Sequence, residues 1–403
     1  MADSVTSLKG DGTIRNPYQL HKPEHLNFLS IDDAYFILTS NIDCSTAPIT
    51  GVSMLNSQLD GEGYTIQNAT IKATNESQSA KGLVGTIRQH GSIKNTKFHN
   101  CTLICDSTST QNAGIIAGEV NGDIVNCEVT DSIVNTYGNA GAIAGSTEYG
   151  VIKSSKVREV TVSGALTGGG IVGNANGGEI SNSTILNSKI HNSDISGAIC
   201  GMTENTTVDN NKIKDVAVFG DSIAGGIIGY CNHSGVRQTS ISNITVSSED
   251  NVSGLGFGEV RTTTIEDLTI TTSVKHANSL LATALLYTET ENITITCDNP
   301  PTIPVSESVE SITQYDTGIT VEPVSLNRDE QNQLAQFKTQ DTVYTIYKPN
   351  YIHTLNTDTR EQSVYPIHPE VIYTTIHAAE SDAFLEVIGA SPEILEELAL
   401  RGM

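Results

Sequence analysis

A short glycine-bracketed aliphatic motif returns along the middle of this chain at a nearly constant interval. The closing glycines of successive copies are 33, 27, 28, 28, 28 and 29 residues apart. A period in this range indicates a repeat architecture in which one supersecondary unit stacks on the next, as in solenoids and propellers. Such a scaffold supplies a long rigid surface and no chemistry of its own. The copies are Lys81–Gly85, Gly114–Gly118, Gly141–Gly145, Gly169–Gly173, Gly197–Gly201, Gly225–Gly229 and Gly254–Gly258.

Three columns of aliphatic residues keep the same interval, and apolar residues alternate with Ser, Thr, Asn and Lys around them. This alternation is typical of strands with one buried face. Helical repeats would need stretches of 3.6-residue period, which residues 55–297 lack, and propeller blades would need longer antiparallel units. We therefore predict an all-β parallel β-helix with three short strands per coil. The columns begin at Ile93, Phe98 and Leu103 and continue, for the first, through Ile124, Ile152, Ile180, Val208, Val236 and Ile265.

A polar column falls two residues after the first aliphatic column. Amides stacked at a bend can hydrogen-bond from rung to rung, as ladders of Asn and Gln do. Asn182 of this column is also part of a glycosylation sequon, and its place in the ladder predicts that it is buried. The members are Asn95, Asn126, Ser154, Asn182, Asn210, Gln238 and Asp267.

The repeat resembles the GLUG motif family, named for its Gly-Leu-any-Gly core. That family forms right-handed parallel β-helices in bacterial surface adhesins, in spacer regions of some secreted proteases and in viral fibres. The opening of the chain is similar too, from Gly10–Thr13 and Asn16–Tyr18 to Leu59–Ile66. The resemblance covers roughly residues 9–297 and implies a right-handed coil. It implies little about activity, because proteins with the same fold carry different functional sites.

The character of the chain changes after Cys297, where the Pro-containing stretch of residues 298–304 breaks the repeat. We therefore divide the chain into an N-terminal cap (1–54), the β-helix (55–298) and a small α+β C-terminal domain (299–403). In this last part the pattern predicts a helix near Asn327–Phe337 and strands at Thr342–Tyr347 and Val371–His377. A helix at Ser391–Gly402 is predicted from its Ser N-cap, early Pro and final Gly.

The C-terminal domain holds six of the thirteen tyrosines. It has two uses that the sequence leaves open: it can cap the open end of the rod, or it can be a recognition tip, since Tyr offers flat amphipathic area to sugars and proteins. Tyr347, Tyr351 and His353, around the turn 348–350, are the candidate binding residues.

The charge balance limits the partners. Lys and Arg number 22 against 46 Asp and Glu, for a formal charge of −24. We expect no basic patch, and hence neither nucleic acid nor anionic membrane as partner. The chain start is neither basic nor apolar, and no stretch of 18 apolar residues occurs. This favours a virion part assembled inside the host cell, a substrate of signal-free secretion, or a mature chain without its leader.

The residue patterns contain few motifs for catalysis or metal binding. The seven cysteines form no Cys-x-x-Cys pair, and Cys200 takes a motif position that is aliphatic elsewhere, which predicts a buried small side chain. A His-Glu-x-x-His helix, a phosphate loop and a Gly-x-Ser-x-Gly elbow are all missing. Glu259, Arg261, Glu266 and Asp267 could serve a polysaccharide-cleaving β-helix. We nevertheless predict no catalytic residue, no metal and no cofactor.

These observations predict a non-enzymatic virion or cell-surface structural protein, such as a fibre, spike or turret, that presents a host-binding face on a β-helix rod. Its expected partners are copies of itself, other virion or surface proteins, and a host surface glycan or glycoprotein. The alternative is a β-helix polysaccharide depolymerase, either lyase or glycoside hydrolase. An ice or mineral binder comes third, suggested by Thr269-Ile-Thr271 and Thr294-Ile-Thr296.

Overall fold

The structure is a computed structural model of the 403-residue chain. It describes residues 8–46, 49, 51–72, 80–105, 111–164, 166–250, 252–272, 281–286, 288–291 and 293–297, and strands at 308–309, 319–323, 333–338, 342–347, 351–356, 362–366 and 386–390.

The chain winds as a β-solenoid of parallel strands, as the repeat predicts. Each coil passes through three sheets, which we call C, A and B in the order in which a coil meets them. From one strand of sheet C to the next, a representative coil runs through Ala144–Glu148 (C), Val151–Lys153 (A), then Lys156–Arg158, Thr161–Gly164 and Thr167–Gly169 (B), and returns at Val172–Asn176 (C). The predicted all-β class and parallel stacking are therefore confirmed, with five short strands per coil where three were expected. Right-handedness stays a prediction.

Sheet A has 11 strands: Tyr18–Leu20, Tyr35–Leu38, Gln58–Asp60, Ser92–Lys94, Asp123–Val125, Val151–Lys153, Glu179–Ser181, Thr207–Asp209, Gly235–Arg237, Thr264–Glu266 and Glu289–Glu291. Sheet C has 10: Val52–Leu55, Val84–Ile87, Ala117–Val120, Ala144–Glu148, Val172–Asn176, Cys200–Glu204, Ile228–Asn232, Phe257–Arg261, Ala282–Leu286 and Ser308–Val309. A 3-10 helix, Pro23–Ser30, lies between the first two strands of sheet A.

Sheet B has 21 strands: Ile42–Asp43, Thr65–Gln67, Thr70–Lys72, Ala80–Lys81, Lys97–His99, Thr102–Ile104, Asn112–Gly114, Glu128–Thr130, Ile133–Thr136, Ala140–Gly141, Lys156–Arg158, Thr161–Gly164, Thr167–Gly169, Thr184–Leu186, Lys189–Gly197, Lys212–Gly225, Ser240–Ser248, Val252–Gly254, Thr269–Thr272, Ile293–Cys297 and Ile319–Pro323.

The predicted aliphatic columns stack one rung apart and form the core. Ile152 pairs with Ile180, and Ile180 with Val208, in the register of sheet A. Val157 and Ile185 do the same in sheet B. All five side chains are at most 1% exposed. The core is therefore a set of continuous apolar columns, in which each coil buries its neighbour's inward face.

Residues in the left-handed region of backbone conformation turn the chain from one sheet to the next. The predicted polar column is the corner between sheets A and B, and all seven of its members have φ between 49° and 54°. A second such column, between the first and second strands of sheet B, was not recognised in the sequence. Asn and Asp tolerate this conformation better than most residues, which explains their place there. The second column is Asn68, Asn100, Asp131, Glu159, Asn187, Asp215 and Asn243.

Both corner columns carry side-chain ladders that end on a carboxylate. Asn126 Nδ2 donates to Asn95 Oδ1 at 2.7 Å, and Asn95 Nδ2 donates to Asp60 Oδ1 at 2.9 Å. In the second column Asn100 donates to Asn68 at 2.7 Å and Asn68 donates to Asp43 at 3.1 Å. The predicted rung-to-rung amide bonding is thus confirmed. The expectation that Asn182 is buried is wrong, because the corner points outward and its side chain is exposed while it accepts from Asn210.

At several corners a buried small polar residue follows the left-handed residue and satisfies the backbone inside the turn. Ser155 Oγ accepts from the Cys127 backbone N–H at 3.3 Å and donates to the Lys153 carbonyl at 3.1 Å. Ser183 repeats the arrangement one coil later, where it accepts from the Ser155 N–H at 3.1 Å. A buried backbone N–H without a hydrogen-bond partner destabilises the folded state, and these hydroxyl groups supply that partner.

The glycines of the repeated motif are required by close backbone packing. A Cβ built on Gly145 would lie 2.1 Å from the backbone N of Ala113 in the preceding coil, and one on Gly169 would lie 1.8 Å from the Val172 carbonyl. Both glycines sit where sheet B turns back into sheet C, so no side chain fits between the chain segments. These two motif glycines are therefore packing residues.

The stacking continues beyond the predicted β-helix boundaries. Tyr35–Leu38 pairs in parallel with Gln58–Asp60, and Ile319–Pro323 pairs in parallel with Ile293–Cys297. The three-domain division itself stays a prediction.

The described C-terminal strands form a separate antiparallel sheet of five: Gln362–Pro366, Tyr351–Asn356, Thr342–Tyr347, Gln333–Lys338 and Glu386–Ala390, in spatial order. The predicted strand Thr342–Tyr347 is confirmed. The helix predicted near Asn327–Phe337 is wrong, because Gln333–Lys338 is a central strand with a partner on each side, and sheet pairing overrides a modest helix propensity. Residues 327–332, the predicted strand Val371–His377 and the predicted helix Ser391–Gly402 lie outside the described residues.

Candidate ligand-binding groove

An open groove of about 690 Å³ crosses the corner where sheet C turns into sheet A, in the first coils of the solenoid. It continues into a second depression of about 440 Å³ beside the 3-10 helix, with which it shares Met54, Asn56 and Arg88. The groove is lined by Met54, Asn56, Thr86, Arg88, Gln89, His90, Asn121, Glu148 and Tyr149.

The groove lies where the corner between sheets C and A changes length. From the closing glycine of the motif to the first buried residue of sheet A, the chain takes eight residues in one coil (Gly85 to Ile93) and six in the next (Gly118 to Ile124). Every later coil takes seven, as from Gly145 to Ile152. The long corner supplies Arg88, Gln89 and His90 to the groove, and the short one supplies Asn121, so the irregularity of the repeat creates the concavity.

Tyr149 forms one wall of the groove in a conformation that costs free energy. Its φ is 59°, and the residue is 71% exposed. The ring lies over Gly177 of the next coil, where an added Cβ would be 2.5 Å from the Tyr149 Cδ1. A left-handed conformation costs a non-glycine residue about 1–2 kcal/mol. An exposed aromatic ring held at that cost offers a flat apolar face to a ligand.

Arg88 supplies a cation with no anionic partner on the described surface. Its Nε and Nη2 groups donate toward Met54 Sδ at 3.2 and 2.8 Å, and a thioether is only a weak acceptor. No carboxylate among the described residues lies within 4.0 Å of this guanidinium. In a chain of formal charge −24, an exposed Arg without a partner is available to a ligand hydroxyl or anion.

The remaining lining side chains add hydrogen-bonding groups of several kinds. His90, Asn121 and Glu148 stand around the groove, and Asn121 Nδ2 donates to Glu119 Oε1 at 3.1 Å. One aromatic wall with a few polar groups and an exposed methionine is suited to a small, hydroxyl-rich ligand such as a sugar. Across the part of the chain that the structure describes, no cluster of three His, Cys, Asp or Glu side chains could hold a metal.

The binding residues predicted from the sequence lie elsewhere, in the antiparallel sheet. Tyr347 and Tyr351 are register partners at the end of the hairpin between Thr342–Tyr347 and Tyr351–Asn356, and His353 pairs with Thr345. The turn 348–350 lies outside the described residues. The hairpin brings the two tyrosines together at one end, and their role in binding stays a prediction.

The four candidate catalytic residues are spread over two sheets. Glu259 lies at the centre and Arg261 at the end of a strand of sheet C. Arg261 Nη2 lies 3.8 Å from Glu259 Oε2, and the guanidinium lies over the Tyr230 ring at 5.8 Å. Glu266 ends the next strand, in sheet A, and Asp267 is a left-handed corner residue. The pair of Glu259 with Arg261 and the corner position of Asp267 both have structural explanations that need no catalysis.

The cysteines are suited to packing. Cys200 stacks between Val172 and Ile228 as predicted. Six cysteines are free and buried: Cys44, Cys101, Cys105, Cys127, Cys200 and Cys231. Burial raises the pKa of the Cys44 and Cys101 thiols to about 11 and that of Cys127 to about 12, and it also raises the pKa of Cys200 and Cys231. Thiols with raised pKa values stay protonated at neutral pH and are poor nucleophiles.

The threonine pairs that suggested an ice or mineral binder do align. Thr269 pairs with Thr294 and Thr271 with Thr296, and the register continues to Thr320 at one position. At the other position Glu322 replaces threonine. The two-column array is therefore interrupted by an acid at the third rung.

Sequence reasoning missed the groove, although two signals for it are present. One is the change in corner length between Gly85 and Ile124. The other is Tyr149 itself, because the same corner in later coils holds Gly177, Asn205, His233 and Thr262. An aromatic residue at a position that otherwise takes small or polar residues is not explained by the repeat.

The similarity of this chain to known proteins is weak or partial. No family model matches the chain, so its resemblance to GLUG repeats stays a prediction. A curated relative is halomucin of Haloquadratum walsbyi, which is 27% identical over 174 residues; the match covers 38% of this chain and 2% of halomucin. The chain thus spans a small fraction of that relative's length.

Among solved structures, a Bacteroides ovatus protein described as a candidate immunoglobulin A1 protease aligns over 78% of this chain and 86% of its own, at 17% identity and a TM-score of 0.38. A similarity of that size does not establish a common fold or activity. No helix among the described residues is long and apolar enough to span a membrane.

Proposed function

We propose that the protein is a non-enzymatic component of a virion or cell surface, such as a fibre, spike or turret, and that its groove binds a host-surface glycan. The observation that carries this proposal is Tyr149, an exposed aromatic residue in a left-handed conformation beside a groove lined by Arg88, His90, Asn121 and Glu148. The ring would stack on the apolar face of a sugar, and the polar groups would bind its hydroxyls. The resemblance to repeats of surface adhesins and viral fibres supports the location.

A glycan array probed with the full-length protein tests this function. We expect a defined set of surface oligosaccharides to be retained, and Tyr149→Asn to weaken their binding about tenfold, since an aromatic contact is worth about 0.5–1.5 kcal/mol. Tyr137→Asn is the matched control, because Tyr137 is 51% exposed and lies outside the groove. Retention of no glycan, or equal losses in both variants, would contradict the proposal.

The same samples separate a binder from a depolymerase. The groove contains a single carboxylate, Glu148, whereas glycoside hydrolases use a facing pair. We therefore expect a bound polysaccharide to be recovered at its original length. New reducing ends during incubation, lost in Glu148→Gln, would make the protein a polysaccharide-cleaving enzyme.

We also propose that the protein works as a homo-oligomer, since several weak sites on one rigid assembly gain avidity. Light scattering should give a mass that is a small multiple of the chain's 42.8 kDa. A monomer at concentrations well above those of assembly would contradict this.

A further inference from the structure

The register of sheet B gathers basic residues that are far apart in sequence onto one outward face, which we call the basic face. Its rungs are the strands Lys97–His99, Glu128–Thr130, Lys156–Arg158, Thr184–Leu186 and Lys212–Lys214, whose central residues are buried and whose flanking residues face outward or sit at the edge of the core. Five of the ten flanking residues are Lys or Arg, and one is acidic. The whole chain holds 22 Lys and Arg against 46 Asp and Glu, so these strand positions reverse the general balance, while the adjoining corner column carries Asp131, Glu159 and Asp215. This local excess of basic residues is not evident from the overall composition.

Only part of this basic charge is neutralised by neighbouring carboxylates. Lys156 Nζ lies 3.2 Å from Glu128 Oε1, and Arg158 contacts Glu159 at 2.6 Å. By contrast, Lys97, Lys212 and Lys214 are exposed, and no described carboxylate lies within 4.0 Å of them. These three lysines hold their positive charge in water without a protein partner.

The amide ladder at the corner of sheets A and B borders the basic face and adds neutral hydrogen-bonding groups. Asn126 and Asn182 belong to this ladder and have exposed side chains. Across the ladder, in sheet A, Lys153 is exposed and likewise has no described carboxylate within 4.0 Å. A ligand along the solenoid axis would meet lysines on both sides and amides between them.

The basic residues recur on alternate rungs. Lys97, Lys156 and Lys212 occupy one column, and His99, Arg158 and Lys214 occupy the other, with Glu128 and Thr184 on the rungs between. Rungs are about 4.8 Å apart, so the basic side chains repeat about every 10 Å along the axis. On the middle rung, Lys156 and Arg158 are paired with Glu128 and Glu159, so a ligand anion there would replace a protein carboxylate. That distance is about the length of a disaccharide in an extended polysaccharide, and it exceeds the separation of neighbouring phosphates in a nucleic acid.

We propose that the basic face binds a linear acidic polysaccharide that carries one negative charge per disaccharide and lies along the solenoid axis. This surface is separate from the groove, and the proposal stands or fails independently of it. The positive charge of the face favours a polyanion, and the spacing of its lysines favours one negative charge per disaccharide. The amide ladder would bind the hydroxyl groups of the polysaccharide.

Binding of fluorescent hyaluronate oligosaccharides to the full-length protein tests this proposal, since hyaluronate carries one carboxylate per disaccharide. We expect binding at low salt that weakens as salt rises. The double variant Lys212→Gln and Lys214→Gln should lose about tenfold in affinity. The control is Lys9→Gln with Arg15→Gln, which removes the same charge at exposed positions far along the chain from the basic face. Tyr149→Asn should leave hyaluronate binding unchanged, which separates this surface from the groove.

Several results would overturn the proposal. One is the absence of hyaluronate binding at low salt, and another is an equal loss in the control variant, which would reflect net charge alone. Tighter binding of polygalacturonate, with a carboxylate on every sugar, would show that charge density and not spacing governs the face. Tighter binding of polyglutamate or single-stranded DNA would assign the surface to a peptide or nucleic acid instead. Melting curves confirm that each variant is folded.

Discussion

The coils between residues 152 and 272 repeat one another closely, whereas those between residues 52 and 149 vary in length, both at the C–A corner and in the return from sheet B to sheet C. In both regions the inward columns continue without interruption, as Ile93, Ile124 and Ile152 show in sheet A. In both, the A–B corner is made by left-handed residues. The difference that bears on the groove lies in the C–A corner, where length varies and Tyr149 replaces the small or polar residues of later coils.

This difference separates what the fold requires from what it leaves available. A residue that recurs in every coil is explained by stacking, because a change there would disrupt two neighbouring rungs. A residue that departs from the repeat without a packing role needs another explanation. By this criterion the groove is the strongest candidate site on the described solenoid surface, and the following predictions test the distinction.

The largest effect is expected in the shared interior. Ile93→Asp and Ile180→Asp place a carboxylate in the same fully buried column, one in each region, and each should destabilise the protein by about 4 kcal/mol or more because the charge has no partner there. Thermal melting of the purified variants measures this. Lys153→Asp, on the exposed side of the same sheet, is the control. A much smaller loss for Ile93→Asp would mean that the two regions do not share one core.

The motif glycines should be nearly as sensitive. Gly145→Ala puts a Cβ 2.1 Å from a backbone nitrogen, so strands of adjacent coils must separate, at a cost of about 3 kcal/mol. Gly235→Ala is the matched change, since a Cβ at that strand position meets nothing within 4 Å. Equal melting temperatures for the two variants would contradict the packing role of the motif.

The ladder should contribute less than the core. Asn126→Asp keeps the shape and the left-handed conformation but removes the Nδ2 donor to Asn95 Oδ1, which should cost about 1 kcal/mol at neutral pH. The loss should shrink in acid, where a protonated Asp can donate again. Ser154→Asp is the control, at the same corner one coil later. Equal losses at both positions would show that the effect is electrostatic and does not come from the ladder.

Asp43, which ends the second ladder, should make stability depend on pH. Hydrogen bonds from Asn68 Nδ2 and from the Ser45 backbone N–H hold its pKa at about 2, against 3.8 for an unperturbed group. A lowered pKa stabilises the folded state above pH 3.8, and this contribution is lost as pH falls from there toward 2. Melting temperature measured over that window should fall less steeply for Asp43→Asn. An unchanged slope would mean that other carboxylates account for the acid sensitivity.

The parts of the structure that could be predicted from sequence are those that recur. The aliphatic columns and the amides after Ile93 and its equivalents recur in nearly every coil, so their stacking follows from spacing alone. The second ladder mixes Asn with Asp131, Glu159 and Asp215, which hides its common backbone conformation. The basic face was missed because only the register places Lys97, Lys156 and Lys212 in one column. The groove depends on two C–A corners, of which one is a residue longer and the next a residue shorter than in later coils. Neither a residue propensity nor a sequence motif reveals such a change.

The smallest effect on stability, and the one that best separates function from fold, is expected at Tyr149. Tyr149→Asn replaces a strained aromatic with the residue that the same corner holds at Asn205, where φ is 51°. Relief of left-handed strain should outweigh the lost contact with Gly177 and stabilise the protein by up to about 1 kcal/mol, while glycan binding falls. His233→Asn, at the same corner in a regular coil, should also stabilise slightly but leave binding unchanged. If Tyr149→Asn instead lowers the melting temperature, the ring stabilises the fold. Packing, and not a ligand, would then explain why Tyr149 holds its left-handed conformation.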